Sequence, residues 1–262
     1  MRDRTIAHLF GVPVSVHPSL AVMCLFVTAV ASITERYVNP HWGNTTSLAF
    51  GLIGALIYCA SIFLHEGSHF VALRSHRIPV ESLTFNALGG RIRGPGQIPN
   101  PKADLIVSAS GPVCTLLLVG LGFGAFALLA GTDKILATDI ALALAVLNLI
   151  ILPGCIVPVW PADSSRALRA ILWQASGNVF AATRIVCRLS FIVIGLFLAA
   201  GAVLLANPAL PGSRALGTYG LLAGATFLFQ SRAIVVTLRG SAEPSSLGAL
   251  AGQSRLPAAV RG

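Results

Sequence analysis

Apolar runs of about 17 to 25 residues recur along this chain, each long enough to cross the hydrocarbon core of a bilayer as a helix. No other feature restricts its folding so severely. Backbone in lipid must satisfy its own polar groups, and runs this long without polar alternation do so as helices. Composition agrees. Of 262 residues, 55% are hydrophobic and 10% charged, with mean hydropathy +0.81; a soluble domain carries about 25% charged residues. Six spans are expected, at 18–33, 46–72, 105–130, 135–157, 189–206 and 216–236. The chain therefore reads as an all-α polytopic membrane protein whose core covers residues 1–240. Residues 241–262, rich in Ser, Gly, Pro and Ala and without apolar periodicity, read as a disordered tail.

The net charge of +9 is explained by sidedness rather than by a nucleic-acid partner. With the N-terminus in the cytoplasm, fifteen Lys and Arg residues fall inside and only Arg36, Lys134 and Arg214 outside. That bias follows the positive-inside rule and places both termini in the cytoplasm of a cell-membrane protein. Arg2, Arg4, an apolar run and the small residues at 29–31 resemble a secretory signal. The long stretch before the run, with Pro13 and Pro18, favours a retained span instead. The five cysteines show no CxxC spacing and mostly fall within spans, so neither a disulfide framework nor a cysteine zinc site is expected.

One span is chemically anomalous. Residues 64–70 read LHEGSHF, placing His65, Glu66 and His69 inside an apolar helix. Positions i and i+4 share a helix face, so both imidazoles can point at one ion. An HExxH pair is a zinc-ligand spacing, and its glutamate stands beside the first ligand, where it can take a proton from a water made acidic by the metal. With six histidines and four glutamates in the chain, a chance HExxH arises about once in 500 such sequences. A carboxylate within a span costs several kcal/mol unless partnered, so such a trio is functional by default.

A catalytic zinc takes three protein ligands. His17 and His41 read as interfacial residues, and Asp139 lies at the opposite end of its span from the motif. Asp104 and Asp163 share the motif's depth. Asp104 reads more simply as a helix cap or dipole partner, and Asp163 also suits the N-terminus of the helix suggested by SSRALRAILW. Prolines at 153, 158 and 161 break the helix before Asp163 and free backbone to line a polar cavity.

These segments together resemble the site-2 protease family of intramembrane zinc metalloproteases, over residues 8–175. FGVPVSVHPSL (10–20), HEGSH (65–69), LGG (88–90), GPVCT (111–115) and CIVPVWPADSSR (155–166) carry the likeness. The resemblance to the NxxPxxPxDGG segment favours Asp163 as third ligand, with one Zn²⁺ per chain. It departs at Thr115 and Cys155, where the family has asparagines, and at Ser164 and Ser165, where it has glycines. Thr115, Cys155, Gly89 and Gly90 stand as candidates for substrate binding or oxyanion stabilisation. No PDZ or CBS domain is visible.

The resemblance implies hydrolysis of a peptide bond in or near the transmembrane segment of a single-span membrane protein within the lipid bilayer, with Glu66 as base and later acid. The loop after the second span alternates at ESLTFNA, enough for a short β-like segment on which an unwound substrate could pair. The altered asparagines also fit a catalytically silent homologue that binds a transmembrane partner without cutting it. A zinc transporter would need several ligand sites along a path, and only one cluster is visible. The orientation is testable directly. A cysteine introduced beside Lys134 should label from outside intact cells, and one beside Arg91 should not; the reverse pattern overturns the assignment.

Overall fold

The computed structural model describes residues 3–87, 89–94, 98–207, 209 and 211–240, with side chains through Phe229. The expected disordered tail at 241–262 lies outside the described residues, as does Leu88 of the LGG segment. The elements in chain order are strands β1 (Arg4–Leu9) and β2 (Val12–Val16), helices α1 (Ser19–Val38) and α2 (Asn44–Ser75), strands β3 (Ser82–Asn86) and β4 (Gly89–Arg93), and helices α3 (Pro101–Leu129), α4 (Ile135–Ile156), α5 (Asp163–Ser176), α6 (Val179–Ala206) and α7 (Ser213–Gly240). They fall into two compact units. The first runs from β1 through α4 and takes in α5 as far as Ala170; the second holds Pro158–Pro161, the rest of α5, α6 and α7.

Five helices among the described residues are long and apolar enough to cross a membrane: α1, α2, α3, α4 and α6. The chain is a multi-pass membrane protein. The sixth expected span, 216–236, falls inside α7 and lies partly outside the residues whose side chains are described, which end at Phe229.

Within the first unit, α2 is the central helix. Its most apolar window is 44% buried by protein, against 17% for each of the other four spans. More of it is enclosed by protein than of any other span, so it can carry ionisable side chains with partners on several sides. At about 1.5 Å per residue its 32 residues reach about 48 Å, well beyond a 30 Å hydrocarbon core. Neighbours come close through small residues, as membrane helix packing requires. A Cβ on Gly51 would collide with the Thr28 carbonyl of α1, and one on Gly122 of α3 would lie 2.5 Å from the Ala145 nitrogen of α4.

A four-stranded sheet in the order β1-β2-β3-β4 belongs to the same unit. The β3–β4 hairpin answers to the expected short strand segment. The β1–β2 hairpin was not among the expected elements, and Pro13 is a residue that a strand with neighbours on both sides rarely holds. It is tolerated because the parallel β2–β3 ladder begins one residue later, at Val14↔Leu83, so the missing N–H takes nothing from that ladder. The turn passes through Phe10 (φ 50°) and Gly11 (φ 83°), the left-handed pair that tight hairpins use, and the Phe10 ring stacks on Phe70 of α2 at 6.4 Å. Leu83 and Phe85 are buried, and the Phe85 ring lies 3.9 Å from that of Phe63 of α2. The Tyr58 hydroxyl donates to the Ala87 carbonyl at 2.5 Å. These contacts fix β4 beside α2.

Gly51→Leu should lower stability by about 1–3 kcal/mol, the usual cost of overpacking. Gly124→Leu, at a position where a Cβ meets nothing within 4 Å, should be near neutral. Thermal unfolding of the purified protein in detergent measures both.

Candidate metal centre

Helix periodicity puts His65 and His69 on one face of α2, and the fold brings Asp163, the first residue of α5, against both. His65 Nε2 and His69 Nε2 are 3.3 Å apart. Each lies 3.2 Å from Asp163 Oδ2. Three donor atoms thus form a nearly equilateral triangle. Ligands bound to zinc at about 2.0–2.1 Å in tetrahedral array stand about 3.3 Å apart, so the residues fit the ion. Two imidazole nitrogens and a carboxylate oxygen are also a donor set that zinc accepts.

The rings are held from behind. His69 Nδ1–H donates to the Val107 carbonyl of α3 at 2.6 Å, with Ser110 Oγ at 3.2 Å. His65 Nδ1 meets Thr115 Oγ1 at 2.8 Å. These bonds turn both Nε2 atoms toward Asp163, the outer support that orients a metal-binding histidine. Burial acts to raise the Asp163 carboxyl, but hydrogen bonds from His65 and His69, with their charge, hold it well below the usual carboxylate range.

Space for an ion depends on Gly111 of α3. A Cβ there would collide with His69 Nε2 and fall 2.6 Å from His65 Nε2. Glu66 lies on the adjoining face of α2, 8% exposed, with Oε1 accepting from the Gly90 N–H of β4 at 2.7 Å. A Cβ on Gly90 would come within 2.5 Å of the Glu66 Cδ, and Gly89 has φ 138°, a conformation that favours glycine. The two glycines thus let β4 run directly against the carboxylate.

The other candidates sort by position. Cys155 lies at the margin: the ligand atoms of His65, Cys155 and Asp163 fall within 4.8 Å of one another, a looser set than the His–His–Asp triangle. No cysteine was expected at the metal, and the Cys155 thiol donates to the Ile151 carbonyl at 3.6 Å. Asn148, fully buried on α4, donates to Ser61 Oγ of α2 at 2.9 Å, one helical turn before His65. His17 hydrogen-bonds Ser19 where β2 meets α1, and Asp139 pairs with Glu35; neither joins the triangle. Asp104 is not the cap of α3. Asn100 is, its side chain accepting from the Ala103 N–H at 2.8 Å, while Asp104 pairs with Arg169. The sequence reading missed Gly111, Val107 and Ser110. A signal for the first was available, since 104, 108, 111 and 115 make one helical stripe of small or polar residues.

No protein-family model matches the chain. Rip3 of Mycobacterium tuberculosis, by name a candidate zinc metalloprotease, is 32% identical over 182 residues, which make up 68% of this chain and 46% of Rip3. The protein sll0528 of Synechocystis, similarly named, is 29% identical over 177 residues, 66% of this chain and 45% of its own. The site-2 protease of Methanocaldococcus jannaschii shares the fold with a TM-score of 0.51 over 88% of this chain and 94% of that one, at 17% identity. The chain belongs to the site-2 protease family. It spans about half the length of the two relatives it matches in sequence. The site-2 protease fold accounts for the mixture found here, long apolar helices with a small sheet packed on the helix that carries the histidines.

Two substitutions should separate metal from glutamate in this family member. Gly111→Ala should cut zinc retention about 10–100-fold, the range typical of disturbed ligand support. Gly90→Ala should displace Glu66 and leave zinc retention unchanged. Metal analysis of the purified variants reads the difference.

Proposed function

We propose that this chain is an intramembrane zinc endopeptidase acting on the transmembrane segment of a single-span membrane protein, with residues 1–240 as its catalytic core. The observation that carries the reading is the triangle of His65, His69 and Asp163 set beside a glutamate whose carboxylate is held by a strand backbone. One Zn²⁺ per chain would be held by those three residues. Bound there, it would supply Lewis-acid chemistry, polarising a carbonyl oxygen and bringing the pKa of water near 7.

The chain's own residues do the rest. Gly90 fixes one oxygen of Glu66, leaving the other to take a proton from the attacking water and to return it to the leaving nitrogen. Thr115 and Val107 keep the imidazoles in place. Strand β4 ends the sheet, and its outer edge can pair with an unwound peptide, holding the scissile bond extended beside Glu66. A transmembrane helix hides its backbone in its own hydrogen bonds, and opening it in lipid costs several kcal/mol for each group left unsatisfied. Substrates with Gly, Pro, Asn or Ser near the inner third of the span suit such a site. The basic residues fit a cytoplasmic location of both termini and no nucleic-acid partner.

Thr115 bonded to His65 favours a second reading. Its hydroxyl is committed to a ligand and no amide stands in its place, as a catalytically silent binder of transmembrane partners would allow. Purified protein incubated with a panel of single-span proteins decides. Glu66→Gln should abolish cleavage and keep zinc, and replacing the helix-breaking residues of a substrate with Leu should slow cleavage strongly. No cleavage by wild type, with partner binding intact in Glu66→Gln, would establish the silent binder. A poly-Leu span cut as fast as one bearing Gly and Pro would show that unwinding does not select substrates.

A further inference from the structure

We propose that the buried ion pair between Asp104 of α3 and Arg169 of α5 holds Asp163 against the two histidines, which makes both residues positioning residues for the metal centre. The inference rests on the metal reading given above and assigns a role to groups outside the triangle. Asp104 is fully buried. Arg169 Nε and Nη2 both donate to its Oδ2, at 3.1 and 2.5 Å, and Arg166 Nη2 stands 3.9 Å from Oδ1.

Asp163 is the one member of the triangle that α2 does not supply. It opens α5, which among the described residues makes few close backbone approaches to other elements. Something must set the position of α5 along its neighbours. Helix α3 is suited to the task, because one stripe of it touches both parts of the site. Gly111 abuts the two Nε2 atoms, Thr115 bonds His65, and Asp104, two turns away, bonds Arg169. From Asp104 to Gly111 is seven residues, about 10.5 Å of helix rise, and from Asp163 to Arg169 is six, about 9 Å. The two intervals nearly match. Helix α5 is thus tied at two points of α3 in opposite chain directions, at Asp163 through the histidines and at Arg169 through Asp104.

The chemistry of the tie matters. Apolar side chains in the same place could hold the helices together as firmly, since a buried ion pair is often replaceable without loss of stability. They would specify the register less sharply, because the hydrophobic driving force is non-directional. Two N–H bonds from a rigid guanidinium to one carboxylate oxygen do. A slip of one turn, about 5.4 Å, would carry Asp163 out of reach of both imidazoles.

The test uses the full chain purified in detergent, loaded with zinc, and follows zinc release to a chelator alongside helical content and unfolding temperature. Asp104→Asn and Arg169→Ala should release zinc about 10–100-fold faster than wild type at unchanged helical content. The exchange Asp104→Arg with Arg169→Asp should recover most of that loss. If Asp104→Asn fails to fold, Arg169→Lys, which keeps the charge and loses the two-pronged contact, takes its place, with faster release again expected. Unchanged release from the variants, even with a lower unfolding temperature, overturns the proposal and leaves the pair a packing contact. Wild type that holds no zinc overturns the metal reading itself, an outcome distinct from the first.

Discussion

Two histidines and two carboxylates inside an apolar bundle are the constraint to which the surrounding structure responds. Each would cost several kcal/mol if left in lipid without a partner. Burying them deeper in protein helps only if every polar atom finds one. The fold meets this demand around α2. Its neighbours supply a carbonyl from Val107, a hydroxyl from Thr115, a backbone N–H from Gly90 and a carboxylate from Asp163. The centrality of α2 in its unit is therefore a consequence of what it carries. A helix with lipid on most sides could not have gathered four partners.

The same demand explains where the chain gives up side chains. Gly111 and Gly90 are empty positions whose absent methyl groups would occupy the space beside the imidazole nitrogens and the Glu66 carboxylate. Glycine here is a steric choice, since close backbone approach is the only way to bring α3 and β4 within hydrogen-bonding range of buried groups. The sheet serves the same end. Past their first turn, membrane helices offer no free backbone donors, because their N–H groups are spent internally. A strand edge does, and β4 spends one such donor on Glu66.

The departures from the family pattern take on physical meaning in this light. Thr115 stands where an asparagine was expected, and its hydroxyl supports His65 from behind. Cys155 stands where another was expected, and its sulfur lies just outside the triangle. Asn148 shares a helix face with Cys155 but is committed to Ser61. Of these three, Thr115 is the one whose polar group holds the triangle in place.

Much of this was legible in the chain itself. Apolar runs have only one way to exist in lipid, so five membrane helices could be read directly, and the i, i+4 spacing was enough to put two imidazoles on one face. Pro13 gives no strand signal of its own, so the first hairpin was not legible, yet a proline is excluded only from those rungs that need its N–H. The sequence could not choose between Asp104 and Asp163 by depth, since both lie near the same end of their helices. The likeness of CIVPVWPADSSR to the family segment favoured Asp163, but the physical ground for that choice is tertiary. It depends on which carboxylate a break in the chain delivers to the histidines and which one an arginine neutralises first, and neither distance is encoded in local periodicity. The roles of Gly111 and Gly90 are tertiary for the same reason: a missing side chain has meaning only beside the atoms that would have struck it.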